Sequence, residues 1–587
     1  MTTRTGKTTT AIALALICAG RLEAQTKPDL RTPHEKNGPN YTATHAETVA
    51  FYELLAKYFS SKCTLLKYDN GTDVGKPLHL FVAGETDVSK IRDGAKVKAM
   101  IVSGIHPGEA EGIDAVMALC RDLLTKKRDL LERLTLLVLP MYNVDGALAR
   151  GCCSRANQNG PAEHGFRGNG QNLDLNRDFM KADTRNARTF QRIFHAFDPD
   201  VFMDNHTTNG ADYQHTITII GSHHSKLDGE LGKFIKNDFL PAMYDDMREK
   251  GWRLAPYVVS KGTTPDSGIV GFFDTPRFSR GYVSLFNTLG FIAETHMLKP
   301  FDERVRATYD LNETLLKTAV AYAERIKTLR KNAESKEFSA PHRMLWKRDD
   351  SRADTIVFDG YETTYRISAV TGQRMHYYDR SKPYTRPLPF YDYFYPTLER
   401  PKPYAYIVPQ AWERVVESLK NNAVAFKRLA KDTVLEVEVK YIESYKTFPE
   451  PYEGHYLHYD VKTRTQSARV RFFKGDLFVK LTPRHAAFLM EAFEPEAEDS
   501  YFAWNFFDAC LMQKESFSPY IFDTTAERLL KQDPRLQQEF ELWKSRTNPT
   551  PEEQLKYIYQ RSPYYEPTHR RYPVATIPKP IELPLTD

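Results

Sequence analysis

Residues 96–124 read KVKAMIVSGIHPGEAEGIDAVMALCRDLL. An apolar run climbs to Ser103-Gly104, His106 and Glu109 follow around Pro107-Gly108, and a helix-like pattern of apolar residues then begins. The bland account is a polar turn in which Glu109 favours a helix N-terminus. The sharper account is a pair of metal ligands at the mouth of a strand. Alone, a His-x-x-Glu spacing decides nothing, so the answer has to come from the rest of the chain.

From about residue 45 to 330, strand-like runs alternate with helical patterns. KVKAMIVSG is followed by GIDAVMALCRDLL and RLTLLVLPMYN, and later by PDVFMDNH, HTITIIG and GFIAETH. Continuous apolar runs separated by amphipathic helices imply strands buried on both faces. The expected fold is therefore α/β, with a mixed, largely parallel sheet flanked by helices. The helical pattern RVRATYDLNETLLKTAVAYAERIKTLRK closes this region. Residues 336–405 are rich in Pro and Tyr and show no helical period, which suits a linker or an extended covering segment. Residues 406–587 carry strand-like pieces such as TVLEVEVKYI and ARVRFF before a mostly helical tail, and are expected to form an additional mixed α/β C-terminal domain. A length of 587 residues agrees with more than one domain.

Composition narrows the function classes. A formal charge of +5 is small for this length and makes no case for nucleic acid as a partner. Arg4 and Lys7 precede AIALALICAG and then RLEAQ. That pattern reads as an export signal over residues 1–24, cleaved after Ala24 before Gln25, and its apolar run is too short to span a bilayer. A secreted or periplasmic protein with no stable membrane insertion after signal removal is expected. Beyond the signal, Cys63, Cys120, Cys152, Cys153 and Cys510 are too few and too scattered for a disulfide scaffold, though one or two bridges can form.

The informative polar residues all sit where a strand ends. His106 and Glu109 follow AMIVSG, His206 follows DVFMDN, and Glu294 lies near the end of GFIAE. In a parallel sheet these ends share one edge, so residues far apart in sequence meet in one cleft. Two His and one carboxylate make a three-ligand zinc site with a position left for water. Between the ligand blocks lies SRANQNGPAEHGFRGNGQNLDLNRDF, residues 154–179, dense in Arg and Asn.

The blocks HPGE, DLNRDF, DNH and IAE, in that order, resemble those of the zinc carboxypeptidases of the carboxypeptidase A type over residues 45–330. The resemblance implies one zinc per chain held by His106, Glu109 and His206, with Glu294 as the catalytic carboxylate. Asn176 and Arg177 match the pair that grips a substrate's terminal carboxylate, and Arg155 the arginine facing the scissile carbonyl, with Arg167 its competitor. Asp174 fits the acid that orients His106. The substrate is then a peptide; the oligomeric state is not readable. Two departures stand out: the gap between Glu109 and His206 is shorter than in the digestive enzymes, and the substrate-facing tyrosine has no clear counterpart, Tyr282 being the nearest candidate. A zinc amidase or deacylase acting on peptidoglycan stem peptides or acyl-amino acids would use the same residues. A silent binding protein would lose a ligand or the base, and this chain keeps both.

Several other residues read as structural. His223-His224 have no acid beside them in sequence and look like loop residues; His455 and His458 suit a strand. EAFEPEAEDS, residues 491–500, reads as a solvated acidic turn, and Trp504 to Phe507 as packing. Asp266 and Asp274 would favour basic C-terminal side chains if they faced the pocket, whereas GIVGFF would line an apolar one.

Overall fold

A computed structural model describes residues 1–2, 28–227, 229–336 and 340–586. The expected export signal falls on residues outside these. The first ten strands are β1 (Cys63–Tyr68), β2 (Leu78–Ala83), β3 (Val97–Ser103), β4 (Leu134–Leu139), β5 (Val201–Thr208), β6 (Ile217–Gly221), β7 (Ala255–Pro256), β8 (Val259–Ser260), β9 (Ile269–Val270) and β10 (Leu289–His296). Eight of them form one mixed sheet in the order β1-β2-β4-β3-β5-β10-β6-β7. Its centre is parallel: β3 pairs with β4 and β5, and β5 with β10. Every residue of β3, β4 and β5 is buried, which is why their sequences run apolar without alternation.

Helices cover both faces. Ala99 and Ile101 of β3 pack with the Glu111–Thr125 and Phe301–Ala321 helices on one side. Met100 and Val102 face the other side, where Phe190 and Phe194 join Tyr406, Leu477 and Phe488 from the C-terminal half. The C-terminal half therefore shares a core with the sheet it covers. It contains a seven-stranded sheet, with a long hairpin from Thr433–Thr447 and His458–Phe472, and three late helices, Pro519–Gln532, Pro534–Thr547 and Pro551–Tyr559.

Residues 336–405 differ from a linker. Asp354–Ile367 and Arg374–Tyr391 form a long antiparallel hairpin, which β9 extends by pairing with Phe390 and Tyr391, and β8 pairs with β9. The prolines that hid this strand, Pro383, Pro387 and Pro389, pair on one side only over most of its length, and an edge position tolerates a residue without an N–H. The acidic stretch at 491–500 also differs from expectation. Glu491, Glu494, Glu496 and Asp499 are buried, facing His342, Lys440, Arg400 and Arg277 respectively. Partners from distant segments, invisible in local sequence, turn a solvated pattern into a buried ionic one.

The helix carrying HPGE's successor residues lies against β5 with no room to spare. A Cβ at Gly112 would sit 2.4 Å from the Asn205 Cβ and 2.8 Å from the Ser103 Oγ. Because the Asn205 Cβ cannot rotate away, Gly112→Ala must push the helix off the strand. The expected loss of stability is about 1–3 kcal/mol in denaturant unfolding; a variant as stable as the parent would refute this packing.

Candidate metal centre and substrate cleft

β3 stops at Ser103, and the turn after it places His106 and Glu109 above the sheet's C-terminal edge. Glycine is required inside this turn at Gly108, where a Cβ would lie 2.8 Å from the Arg155 Cδ and 3.1 Å from the Gly165 carbonyl oxygen. His206 comes from β5 and Glu294 from β10, and the two are direct partners in the parallel register. Asp204 shares a face of β5 with His206, two residues before it.

His106, Glu109 and His206 converge, with their ligand atoms all within 4.8 Å of one another and all three side chains buried. The His106 Nδ1 lies 3.2 Å and the His206 Nδ1 2.9 Å from the same Glu109 Oε2. On the far side, the His106 Nε2 meets the Asp174 Oδ1 at 2.8 Å and the His206 Nε2 the Asp204 Oδ2 at 2.7 Å. Carboxylates accepting from both Nε2 atoms fix the tautomer that leaves a lone pair on each Nδ1, and so the donor set fits a zinc ion. Asp204 was missed by sequence reasoning, although its i, i+2 spacing to His206 on a strand is a signal for such a partner.

Electrostatics follow from this geometry. Burial alone would raise the Glu109 carboxyl, but His106, Arg155 and the imidazole hydrogen bonds hold it well below the usual range. Burial opposes charge on His206, yet the Asp204 and Glu109 carboxylates lift its imidazole well above the ordinary value. Burial pushes the Glu294 carboxyl up to about 8; His206 opposes the rise and the Glu109 and Asp204 charges add to it. A divalent cation between the histidines would oppose it further.

Asp174 caps a single helical turn, Leu175–Arg177, by accepting from the Asn176 N–H at 2.8 Å. That turn lets two adjacent residues serve one cleft. The Asn176 amide touches the His206 Nε2 at 3.2 Å, and its Oδ1 accepts from the Ser279 N–H at 3.1 Å. The Arg177 guanidinium lies over the Phe278 ring, 4.3 Å from its centre. With these residues, Arg155, Arg167, Glu294, Tyr257 and Phe272 line a cleft of about 450 Å³.

The two candidate arginines differ in exposure. Arg155 donates to the Glu109 Oε1 at 2.9 Å, the Thr207 carbonyl at 3.3 Å and the Gln158 side chain, and its side chain is 15% exposed. Arg167 bridges the Asp174 Oδ2 at 2.8 Å and the Glu109 Oε1 at 3.3 Å and remains 44% exposed toward the cleft. Tyr282 does not reach the cleft. It is fully buried among Phe190, Phe194 and Phe286, with its hydroxyl 2.7 Å from the Asn422 Oδ1 and 3.0 Å from the His195 Nε2. Tyr257 lines the cleft instead, and burial, with the Glu294 charge, pushes its phenol up to about 12. Only tertiary structure selects it from 33 tyrosines, since its place follows from the pairing of β7 with β6.

Neither specificity candidate is free. Asp274 is buried in an ion pair with Arg280, and Asp266 pairs with Arg386; of the GIVGFF stretch, Phe272 lines the cleft. His223 and His224 do have an acid nearby, Asp392, brought from far along the chain. The three do not make a ligand set. The His223 Nδ1 accepts the Ser225 N–H at 3.2 Å, so its Nε2 carries the proton and donates it to the Asp392 Oδ1 at 3.1 Å, leaving no lone pair for a cation. His455 and His458 bond separately to Asp183 and Asp508. Cys152 and Cys153 form a disulfide between neighbours, while Cys63, Cys120 and Cys510 are free.

A parallel-sheet edge carrying two imidazoles, one ligating carboxylate and a second carboxylate beside them defines a metal-dependent hydrolase. The zinc carboxypeptidase family model matches residues 51–225, a span that includes His106, Glu109, Asp174, Asn176, Arg177 and His206. Residues 51–225 are a zinc carboxypeptidase domain, and the chain is a hydrolase of the metallocarboxypeptidase class. Among its relatives, carboxypeptidase 2 of Trichophyton tonsurans is 24% identical over 481 residues, 78% of this chain and 83% of the relative. Carboxypeptidase 2 of Trichophyton rubrum is 22% identical over 443 residues, 72% and 76% of the two chains. The metallo-carboxypeptidase of Burkholderia cenocepacia aligns at a TM-score of 0.37 and 17% identity, over 48% of this chain and 70% of that one.

Asp204→Asn keeps the shape beside His206 but removes the charge on its Nε2 side. Zinc affinity, read by competition with a chelator, is expected to fall about 10- to 100-fold. Unchanged affinity would show that Asp204 does not orient the ligand.

Proposed function

We propose that the cleft removes residues from the free C-termini of peptides, with His106, Glu109 and His206 holding one zinc, Glu294 as general base, and Asn176 and Arg177 gripping the terminal carboxylate. The observation that carries this reading is the capped turn at Asp174, which aims Asn176 and Arg177 into the cleft of the ligand set. When bound, zinc supplies Lewis acidity and brings the pKa of a water toward about 7.

The chain's own side chains do the rest. Glu294 takes the proton of the attacking water and returns it to the leaving amine. Arg177 offers a planar fork that matches a carboxylate, and its stacking on Phe278 holds the fork in place. For the charge that develops on the scissile carbonyl oxygen, Arg167 fits better than Arg155, because both are held by protein acceptors but Arg167 is far the more exposed. Tyr257 takes the substrate-facing position once given to Tyr282.

The domain organisation belongs to the same proposal: a signal over 1–24, a catalytic domain over 45–330, and a C-terminal domain over 406–587, with residues 336–405 as a strand-forming cover rather than a linker. Export rests on the N-terminal sequence. No helix among the described residues is long and apolar enough to cross a membrane.

Glu294→Gln should keep about one zinc per chain by metal analysis while abolishing turnover; a variant that still turns over would remove Glu294 from the mechanism. Arg177→Ala should weaken action on free-carboxylate peptides. A charge-assisted hydrogen bond is worth about 1.5–3 kcal/mol, or roughly 10- to 150-fold in affinity. C-terminally amidated peptides should already be poor substrates and lose little more. Equal cleavage of amidated and free peptides by the unmodified enzyme would rule out the clamp, and activity confined to γ-glutamyl-diaminopimelate substrates would favour the amidase reading.

A further inference from the structure

We propose that two carboxylates of the C-terminal half, Glu453 and Asp499, are positioning residues for the carboxylate clamp, so that the C-terminal half is part of the substrate-binding machinery. The inference rests on the reading of Asn176 and Arg177 given above.

Each carboxylate fixes one wall of the clamp. The Glu453 Oε2 accepts the Asp174 N–H at 2.7 Å, at the first residue of the turn that carries Asn176 and Arg177. Glu453 sits at the tip of a tight turn in which the Tyr452 N–H donates to the His455 carbonyl at 2.7 Å. Both central residues are left-handed, Glu453 at φ +50° and Gly454 at φ +80°. That is the pattern of a type I′ turn, and a non-glycine residue held there is a strained choice that surrounding structure must enforce. The turn is pinned from both sides: His455 bonds Asp183 at 2.7 Å, and the Tyr452 ring stacks on Trp504.

The second wall is the segment at residues 277–279. Asp499 accepts from the Arg277 backbone N–H at 2.8 Å and from its Nε at 2.7 Å, and the Trp504 Nε1 donates to the same carboxylate at 3.2 Å. The next two residues are the ones the clamp touches. Phe278 underlies the Arg177 guanidinium, and Ser279 donates its N–H to Asn176 and its hydroxyl to Asp204 at 2.6 Å. Glu453 thus holds the residue that caps the turn of Asn176, and Asp499 holds the residue before Phe278, while neither touches the ligand set itself. A perturbation there should loosen the grip on the substrate carboxylate and leave the metal in place.

The test uses the full-length zinc enzyme and a peptide pair with free and amidated C-termini. Glu453→Ala is expected to raise KM for the free peptide about ten-fold, with kcat changed by less than about two-fold and zinc content unchanged. Glu453→Gln should stay close to the parent, because an amide oxygen still accepts from the Asp174 N–H. Asp499→Asn should also raise KM; where that variant fails to fold, the Glu453 pair decides. An unchanged KM in Glu453→Ala overturns the proposal, as does zinc loss in that variant, or a Gln variant as impaired as the Ala variant. Should the unmodified enzyme cut free and amidated peptides equally, the clamp reading fails and takes this inference with it. Discrimination by the unmodified enzyme together with an unmoved KM in the variant sinks this inference alone.

Discussion

The carboxylate of Asp174 is the interaction on which the cleft depends. Its two oxygens and its backbone serve four neighbours at once: the His106 Nε2, the Asn176 N–H, the Arg167 guanidinium and, through its own N–H, Glu453. Burial would raise its pKa, yet His106, Arg177 and Arg167 hold it below the usual carboxylate range, so it stays an acceptor on every side. One residue thereby meets His106, starts the turn that carries Asn176 and Arg177, and holds the Arg167 guanidinium. The metal side of the site is reached through its side chain and the substrate side through the turn it caps.

What was legible in the sequence follows from how far apart the determining contacts are. The apolar runs of β3, β4 and β5 and the His106, Glu109, His206 and Glu294 positions could be read because they depend on strand burial and on the rule that parallel strands end at one edge. Asp174 was reached only through the resemblance of its DLNRDF block, since its contact with His106 spans distant segments. Tyr257 could not be read, because nothing near it in sequence distinguishes it and its position comes from a two-residue strand, β7, pairing with β6. The hairpin within 336–405 was hidden for another reason: its prolines mimic a linker, and only the one-sided pairing of that strand makes them harmless.

The acidic stretch at 491–500 carries the same lesson further. A run of carboxylates is read as solvated because burying a charge without a partner is costly. Here each partner lies many residues away: His342, Lys440, Arg400 and Arg277. A local pattern records what a segment would do alone. It cannot record that other segments arrive carrying opposite charge; of these pairs, Asp499 with Arg277 is the one that joins the C-terminal half to the catalytic one.

The cleft itself is a concentration of such charges. Glu109, Asp174, Asp204 and Glu294 crowd the ligand set, answered by Arg155, Arg167 and Arg177. Buried ion pairs gain little over well-packed apolar side chains, because desolvation offsets their attraction, while removing one partner leaves an uncompensated charge that is strongly destabilising. The site is thus a poor source of stability and needs a frame that does not depend on it. The frame has two parts: the apolar parallel sheet beneath, and the C-terminal half, whose Tyr406, Leu477 and Phe488 complete the core on the sheet's second face. That shared core explains why anchors as polar as Glu453 and Asp499 can be trusted to hold a turn in place.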